Sequence, residues 1–179
     1  LWSVEAGELV MRGTNVVNDR GWLVTKESFR DCRLRFDIKL TKGCNSGIGI
    51  RMATNETGPL EIQLADDTSP ELGAQVIRTC GCLYGLANRT VAPPLKPMGE
   101  WNCVEVDVIG EQLTSRINGT VVFDAKLDDI AKLTLSRRDI TRREGHLGLQ
   151  AAVGEVRFRN IEIEDLSQLV DGNQFAHSG

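Results

Sequence analysis

Apolar and polar residues alternate with a period of two along most of this chain. Over Cys32–Leu40 the run Cys-Arg-Leu-Arg-Phe-Asp-Ile-Lys-Leu changes character at every step, the pattern of a strand with one buried face. Gly47–Met52 alternates in the same way and predicts Ile48, Ile50 and Met52 on the core side, with Arg51 opposite. Leu60–Leu64 repeats the pattern with Glu61 and Gln63 on the polar side, and Asn55, Gly58 and Pro59 mark the turn before it. Trp101–Ile109, Gln112–Asn118, Thr120–Asp124, Leu147–Gln150 and Glu155–Glu164 continue the series. Asn118-Gly119 stands between two such runs and predicts a two-residue hairpin, because both residues tolerate positive φ. Helical spacing is confined to Leu127–Leu133. Many short antiparallel strands joined by tight turns define an all-β fold, an antiparallel β-sandwich with little helix.

Composition narrows the class. The chain has 179 residues, 41% hydrophobic and 26% charged, which suits one globular domain and excludes a disordered or fibrous chain. A formal charge of −4 argues against nucleic-acid binding, which needs a basic face. No apolar run reaches the ~18 residues of a membrane span. No linker divides the sequence, so residues 1–166 form the domain and 167–179 a polar tail. Cys32, Cys44, Cys80, Cys82 and Cys103 match no zinc spacing and read as buried thiols, with one bridge at most a minor addition.

Polar residues sort by strand face. If the strands containing residues 47–52 and 60–64 pair, Arg51, Glu61 and Gln63 share a face, and Gly47 and Gly49 leave room above it. Plain alternation adds Asp67 to that patch, whereas a one-residue bulge would bring Asp66 round instead. The simpler alternative is a solvated outer face with a surface ion pair. Trp22, Tyr84 and Trp101 are the available stacking platforms, although Trp101 also fits core packing. His146 and His177 are the only histidines and assemble no catalytic triad. The Arg137–Arg143 stretch is expected to be a solvated loop. Oxygen ligands at a Glu61–Asp66 cluster would suit a divalent ion such as Ca²⁺ or Mn²⁺, but no contiguous ligand loop demands one.

Ordered motifs then carry a resemblance. Asn45-Ser46-Gly47-Ile48 with Arg51, Glu61-Ile62-Gln63, Asp66-Asp67, Gly81–Gly85 and Gly99–Asn102 follow one another in order. Asn118-Gly119, Gly148-Leu149-Gln150 and Val156–Ile161 complete the set, so that the chain resembles the 3-keto-disaccharide hydrolase domain family over residues 1 to about 166. The resemblance implies a concanavalin-like or laminin-G-like jelly roll, a carbohydrate partner bound on one sheet, and an exported bacterial protein. The opening strand usual in such domains is expected to be missing or to lie ahead of Leu1. The implied activity is cleavage of glycosides whose sugar carries a ketone at C3, which acidifies the C2–H. Glu61 is then the expected base, Arg51 the stabiliser of the enolate oxygen and Asp66 the acid for the leaving group. Asn45, Gln63, Asp67, Tyr84, Trp101 and Gln150 are the expected substrate contacts. The sequence departs from the family where many relatives carry an Asp-His-Gly-like stretch, for here Ala151-Ala152-Val153 stands in its place. A carbohydrate-binding module without catalysis is the competing expectation. The Glu61–Asp66 segment is also loosely similar to the strand motif of laminarinase-type β-glucanases, with Gln63 where that motif has an acid.

Overall fold

The computed structural model describes residues 1–14, 21–54, 59–70, 76–134 and 138–168. Beyond Gln168 the expected tail lies outside the described residues, as does His177. The strands are β1 (Trp2–Glu5), β2 (Glu8–Gly13), β3 (Gly21–Val24), β4 (Cys32–Leu40), β5 (Asn45–Met52) and β6 (Leu60–Ala65). They continue with β7 (Trp101–Ile109), β8 (Gln112–Ile117), β9 (Thr120–Lys126), β10 (His146–Ala151) and β11 (Gly154–Asp165), and a short α-helix, α1 (Leu127–Leu133), follows β9. Antiparallel pairing builds one sheet in the order β1-β2-β11-β4-β7-β8-β9 and a second in the order β3-β10-β5-β6. The fold is an all-β jelly-roll sandwich.

The alternation seen along β4 becomes burial: Leu34, Phe36, Ile38 and Leu40 are buried, while Arg33 and Arg35 are exposed. The inward residues of both sheets meet in one core, with Phe36 and Phe158 tilted against each other at 5.6 Å between ring centroids. Facing them from the smaller sheet are Ile48, Ile50, Leu60, Ile62, Leu64, Leu147 and Leu149. The predicted hairpin is present between β8 and β9, with Asn118 at φ 50° and Gly119 at φ 81°. All five cysteines are free thiols, four of them buried.

One register event changes the faces. Gly148 pairs with Gly49, but His146 pairs with Met52, so Ile50 and Arg51 together oppose Leu147. This β-bulge puts Arg51 at φ 47° and inverts the alternation from that point. Met52, expected beside Ile48 and Ile50 in the core, instead lies on the opposite face, where it covers Gly49 and Gly148. Arg51, expected on that opposite face, turns toward the end of the sandwich.

Beyond β6 the chain folds back to cover its edge. Leu83 bridges Ile62, with the Gln63 amide donating to the Cys82 carbonyl at 3.0 Å and the Tyr84 amide to the Glu61 carbonyl at 2.8 Å. In an antiparallel pair of this kind residues opposite one another share a face, so Tyr84 stands beside Glu61 and Cys82 beside Gln63.

Candidate functional site

The site occupies the face of the four-stranded sheet that is turned away from the larger sheet. Ile48, Ile50, Leu147 and Leu149 point into the core, so Asn45, Gly47, Gly49, Gly148 and Gln150 point to the other side. β6 is buried along its whole length, which makes two polar side chains within it conspicuous: Glu61 is 7% exposed and Gln63 1%. The Gln63 amide nitrogen donates to Asn45 Oδ1 at 3.0 Å, a cross-strand contact between neighbours. Glu61 lies over Gly47, where a Cβ would stand 2.7 Å from its carboxyl carbon. Only glycine leaves room there for the carboxylate.

Trp22 supplies the other wall. It pairs with Gln150 across β3 and β10, and its indole reaches over two strands; a Cβ on Gly148 or Gly49 would be 3.1 and 3.0 Å from the ring. Met52 packs over the same two glycines. At the opposite border, half-buried Tyr84 carries the Arg78 guanidinium 5.5 Å from its ring centroid. Cys82, beside Gln63, has its thiol pushed up to about 12 by burial and then by the Asp67 carboxylate, so it contributes a neutral side chain. The face therefore presents one carboxylate, three amides, two aromatic rings and a rim cation.

Several expected members are placed elsewhere. Arg51 is buried at 2% exposure, and its guanidinium donates to the Arg30 carbonyl at 2.6 and 3.1 Å, to Gly110 at 2.8 Å and to Arg142 at 3.3 Å. Asp31 lies 3.4 Å from it, and burial lowers the guanidinium pKa against that charge. These partners take up the fork, which pins three loops at one end of the sandwich. Arg142, expected in a solvated loop, returns a hydrogen bond to the Arg51 carbonyl at 2.7 Å.

Asp66 ends β6 without a bulge, since the β5–β6 register runs unshifted from Asn45–Ala65 to Ile50–Leu60. Its carboxylate accepts from the Gly43 amide at 2.8 Å, the Thr68 amide at 2.9 Å and the Thr68 hydroxyl at 2.6 Å. Burial raises its pKa, but those hydrogen bonds outweigh it and hold the carboxyl below the ordinary value, the opposite of what a general acid needs. Asp67 accepts from the Cys80 amide at 2.7 Å and is paired with Arg89, which also donates to the Cys80 carbonyl at 2.8 Å. Both acids are turn fasteners by geometry.

Trp101 lies on the outer face of the larger sheet, opposite Lys39 and stacked with Lys39 Nζ at 4.5 Å and the Arg159 guanidinium at 4.1 Å. It is remote from the Glu61 face. The residues that replace the Asp-His stretch border Asn45: Val153 exchanges backbone hydrogen bonds with it at 2.9 and 3.0 Å. Among the described residues no three His, Cys, Asp or Glu side chains converge as a metal site, and with Asp66 engaged the Glu61 cluster does not fit one. An apolar recess of about 230 Å³, lined by Leu9, Leu23, Leu34, Leu147 and Ile161, opens on the core side of β10 and brings no charged group.

A polar, aromatic-walled face on the small sheet of a jelly roll defines a carbohydrate-active domain, of the glycosyl hydrolase-like or carbohydrate-binding kind. The chain belongs to the 3-keto-alpha-glucoside-1,2-lyase-like domain family, whose model matches residues 1–164. Among solved structures it is similar to a candidate glycosyl hydrolase of Parabacteroides distasonis, with 25% identity, a TM-score of 0.78, and 93% of this chain and 90% of that one covered. A second candidate glycosyl hydrolase from the same organism shares 23% identity at a TM-score of 0.76, covering 93% and 84% of the two chains. The carbohydrate-binding module CBM66 of Bacillus subtilis shares the fold at 14% identity and a TM-score of 0.64, covering 92% and 91%. No curated protein matches the chain in sequence.

Proposed function

We propose that this domain cleaves the glycosidic bond of a 3-keto-glycoside by removal of the C2 proton, elimination at C1 and addition of water. The observation that carries this reading is the Glu61 carboxylate, buried on the polar face of the small sheet and seated over Gly47. The matching family description, a 1,2-lyase acting on 3-keto-α-glucosides, supports the same bond change. The C3 ketone acidifies the C2–H, and Glu61 takes that proton. The C–H electron pair enters a C2=C3 enolate; its collapse restores the ketone, forms C1=C2 and breaks the bond to the C1 oxygen. That oxygen takes a proton from water, after which water adds to C1 and a proton returns to C2. Gln63, Asn45 and Gln150 are the amides in place to orient hydroxyls, and Trp22 and Tyr84 are the rings in place to border the sugar.

A second reading has a specific observation in its favour. Arg51 and Asp66, two of the three expected catalytic groups, are engaged in structural contacts, which suits a module that binds sugar without cleaving it.

One experiment separates the two. The protein and Glu61→Gln are incubated with a 3-keto-glycoside and with its unoxidised parent, and aglycone release and binding are followed. Release from the keto sugar alone, with turnover falling about a hundredfold or more in Glu61→Gln, is the expected result for a positioned base. A loss of less than about tenfold removes Glu61 from that role. Binding of the parent with no release from either sugar establishes the binding module, and release from the parent alone overturns the keto-sugar reading.

A further inference from the structure

With Arg51 committed to the end of the sandwich, the proposed reaction lacks the cation that an enolate oxygen needs. The described residues offer one at the border of the face. Arg78 ends a short 3₁₀ turn, and the turn is tied to the site segment by the Gly85 amide, which donates to the Ile77 carbonyl at 2.9 Å. Its side chain is exposed, forms no ion pair among the described residues, and lies with its guanidinium over the Tyr84 ring. Tyr84 in turn shares the face with Glu61, one cross-strand step away, a separation of roughly 5 Å between Cβ atoms. Base and cation are thus both neighbours of one ring, Tyr84.

We infer that Arg78 is the electrostatic partner of the reacting sugar, its guanidinium receiving the charge that develops on the C3 oxygen when Glu61 removes the C2 proton. The inference rests on the function proposed above. No new bond forms at Arg78: it stays protonated throughout, donating hydrogen bonds to the oxyanion in the enolate and weaker ones to the ketone before and after. Stacking on Tyr84 holds the fork in place without neutralising it, because the ring offers a π face and no carboxylate. This arrangement favours the transition state over the ground state, since the charge it answers is absent from the bound substrate.

The test compares the wild-type chain, Glu61→Gln, Arg78→Ala and Arg78→Lys on a 3-keto-glycoside. Aglycone release and C2–H exchange in D₂O are followed, each with and without added guanidinium chloride. Removing one such donor typically costs a hundredfold or more, so Arg78→Ala is expected to lose about that in kcat with KM little changed. Lysine retains part of the rate, and free guanidinium restores part of it to Arg78→Ala, a rescue that a purely structural role would not show. If Arg78→Ala keeps wild-type turnover while Glu61→Gln is inactive, the inference fails and the function stands. A change in KM alone, or a loss that guanidinium does not rescue, also overturns it. Should the wild-type chain neither release aglycone nor exchange C2–H, both fall together.

Discussion

Gly47 faces Gln63 across the β5–β6 ladder, yet the space above its Cα is filled by Glu61, two pairs further along. The carboxylate is therefore held by the lack of a side chain on its neighbour. Gly47→Ala places a methyl 2.8 Å from Glu61 Cγ and 2.7 Å from Cδ, and the glutamate, the flexible partner, must swing aside. The expected outcome is a loss of about tenfold or more in turnover on a 3-keto-glycoside, since small misplacements of a reacting group are costly. The urea midpoint should move little, because a displaced side chain relaxes more cheaply than a backbone. Unchanged turnover in a folded Gly47→Ala would show that the position of Glu61 over Gly47 is unimportant.

Arg51 makes the reverse prediction. Its guanidinium satisfies three carbonyls and faces Asp31, so Arg51→Met strands those acceptors and leaves buried Asp31 with the partly exposed Arg30 guanidinium, 3.3 Å away, as its cation. Because Arg30 and the Gly110 amide still engage Asp31, the cost is expected near the low end of the ~3–5 kcal/mol for breaking a buried pair, readable as a fall in unfolding free energy by urea titration. Arg51→Lys keeps the charge but loses the fork and should recover only part of it. Turnover per folded molecule, measured well below the midpoint, is expected to stay near wild type. A catalytic Arg51 would give the opposite pattern, with activity lost and stability kept.

Much of the scaffold was legible because strands such as β4 bury one face only. The nine-residue alternation of β4, the Asn118-Gly119 turn and the short spacing of α1 each appear where expected. The hairpin of β1 and β2 did not announce itself: β1 is partly exposed along its length, and its turn uses Ala6 at φ 49° rather than a turn-forming residue ahead of Gly7. At the site, Glu61 and Gln63 followed from strand parity, and Asn45 came with the family resemblance. Arg51 did not, because a one-residue bulge at a non-glycine position is invisible to alternation yet inverts every side chain after it. Asp66 and Asp67 were misleading for another reason. An aspartate that caps a turn and one that moves a proton look alike in sequence, and only their donors tell them apart. Arg78 lies in an aperiodic stretch, where no pattern could assign it a face.

Two tryptophans separate the faces experimentally. Trp22 overlies Gly49 and Gly148 on the Glu61 face, whereas Trp101 carries the Lys39 and Arg159 cations at its ring on the other sheet. Trp22→Ala is expected to weaken sugar binding about tenfold, in line with ~1–1.5 kcal/mol for an aromatic contact. Trp101→Ala should leave affinity within about twofold and lower stability modestly through its lost cation–π contacts, worth ~0.5–1 kcal/mol each at exposed sites. Calorimetric titration of both variants with the sugar checks the assignment, and equal losses would refute it.

Acid sensitivity follows from the same carboxylates that the site does not use. Asp107 is raised by burial but lowered further by hydrogen bonds from Arg33 at 2.7 Å and Arg116 at 2.9 Å, so its pKa in the folded chain lies below the ordinary 3.8. Asp66 behaves likewise, with Thr68 and Gly43 as its donors. For a depressed carboxyl the unfolded chain takes up its proton first on acidification, which drains stability from the folded state. Their contribution is complete above about pH 5, begins to fall as the pH approaches 3.8, and is lost once the folded carboxyls protonate. Urea unfolding between pH 7 and pH 3 should therefore show a steep decline at the acid end. Asp107→Asn is expected to be less stable than wild type at pH 7, because Arg33 and Arg116 lose their charge partner, and to lose less between pH 5 and pH 3. Parallel profiles for the two proteins would mean that the Arg33–Asp107–Arg116 cluster carries none of the acid dependence.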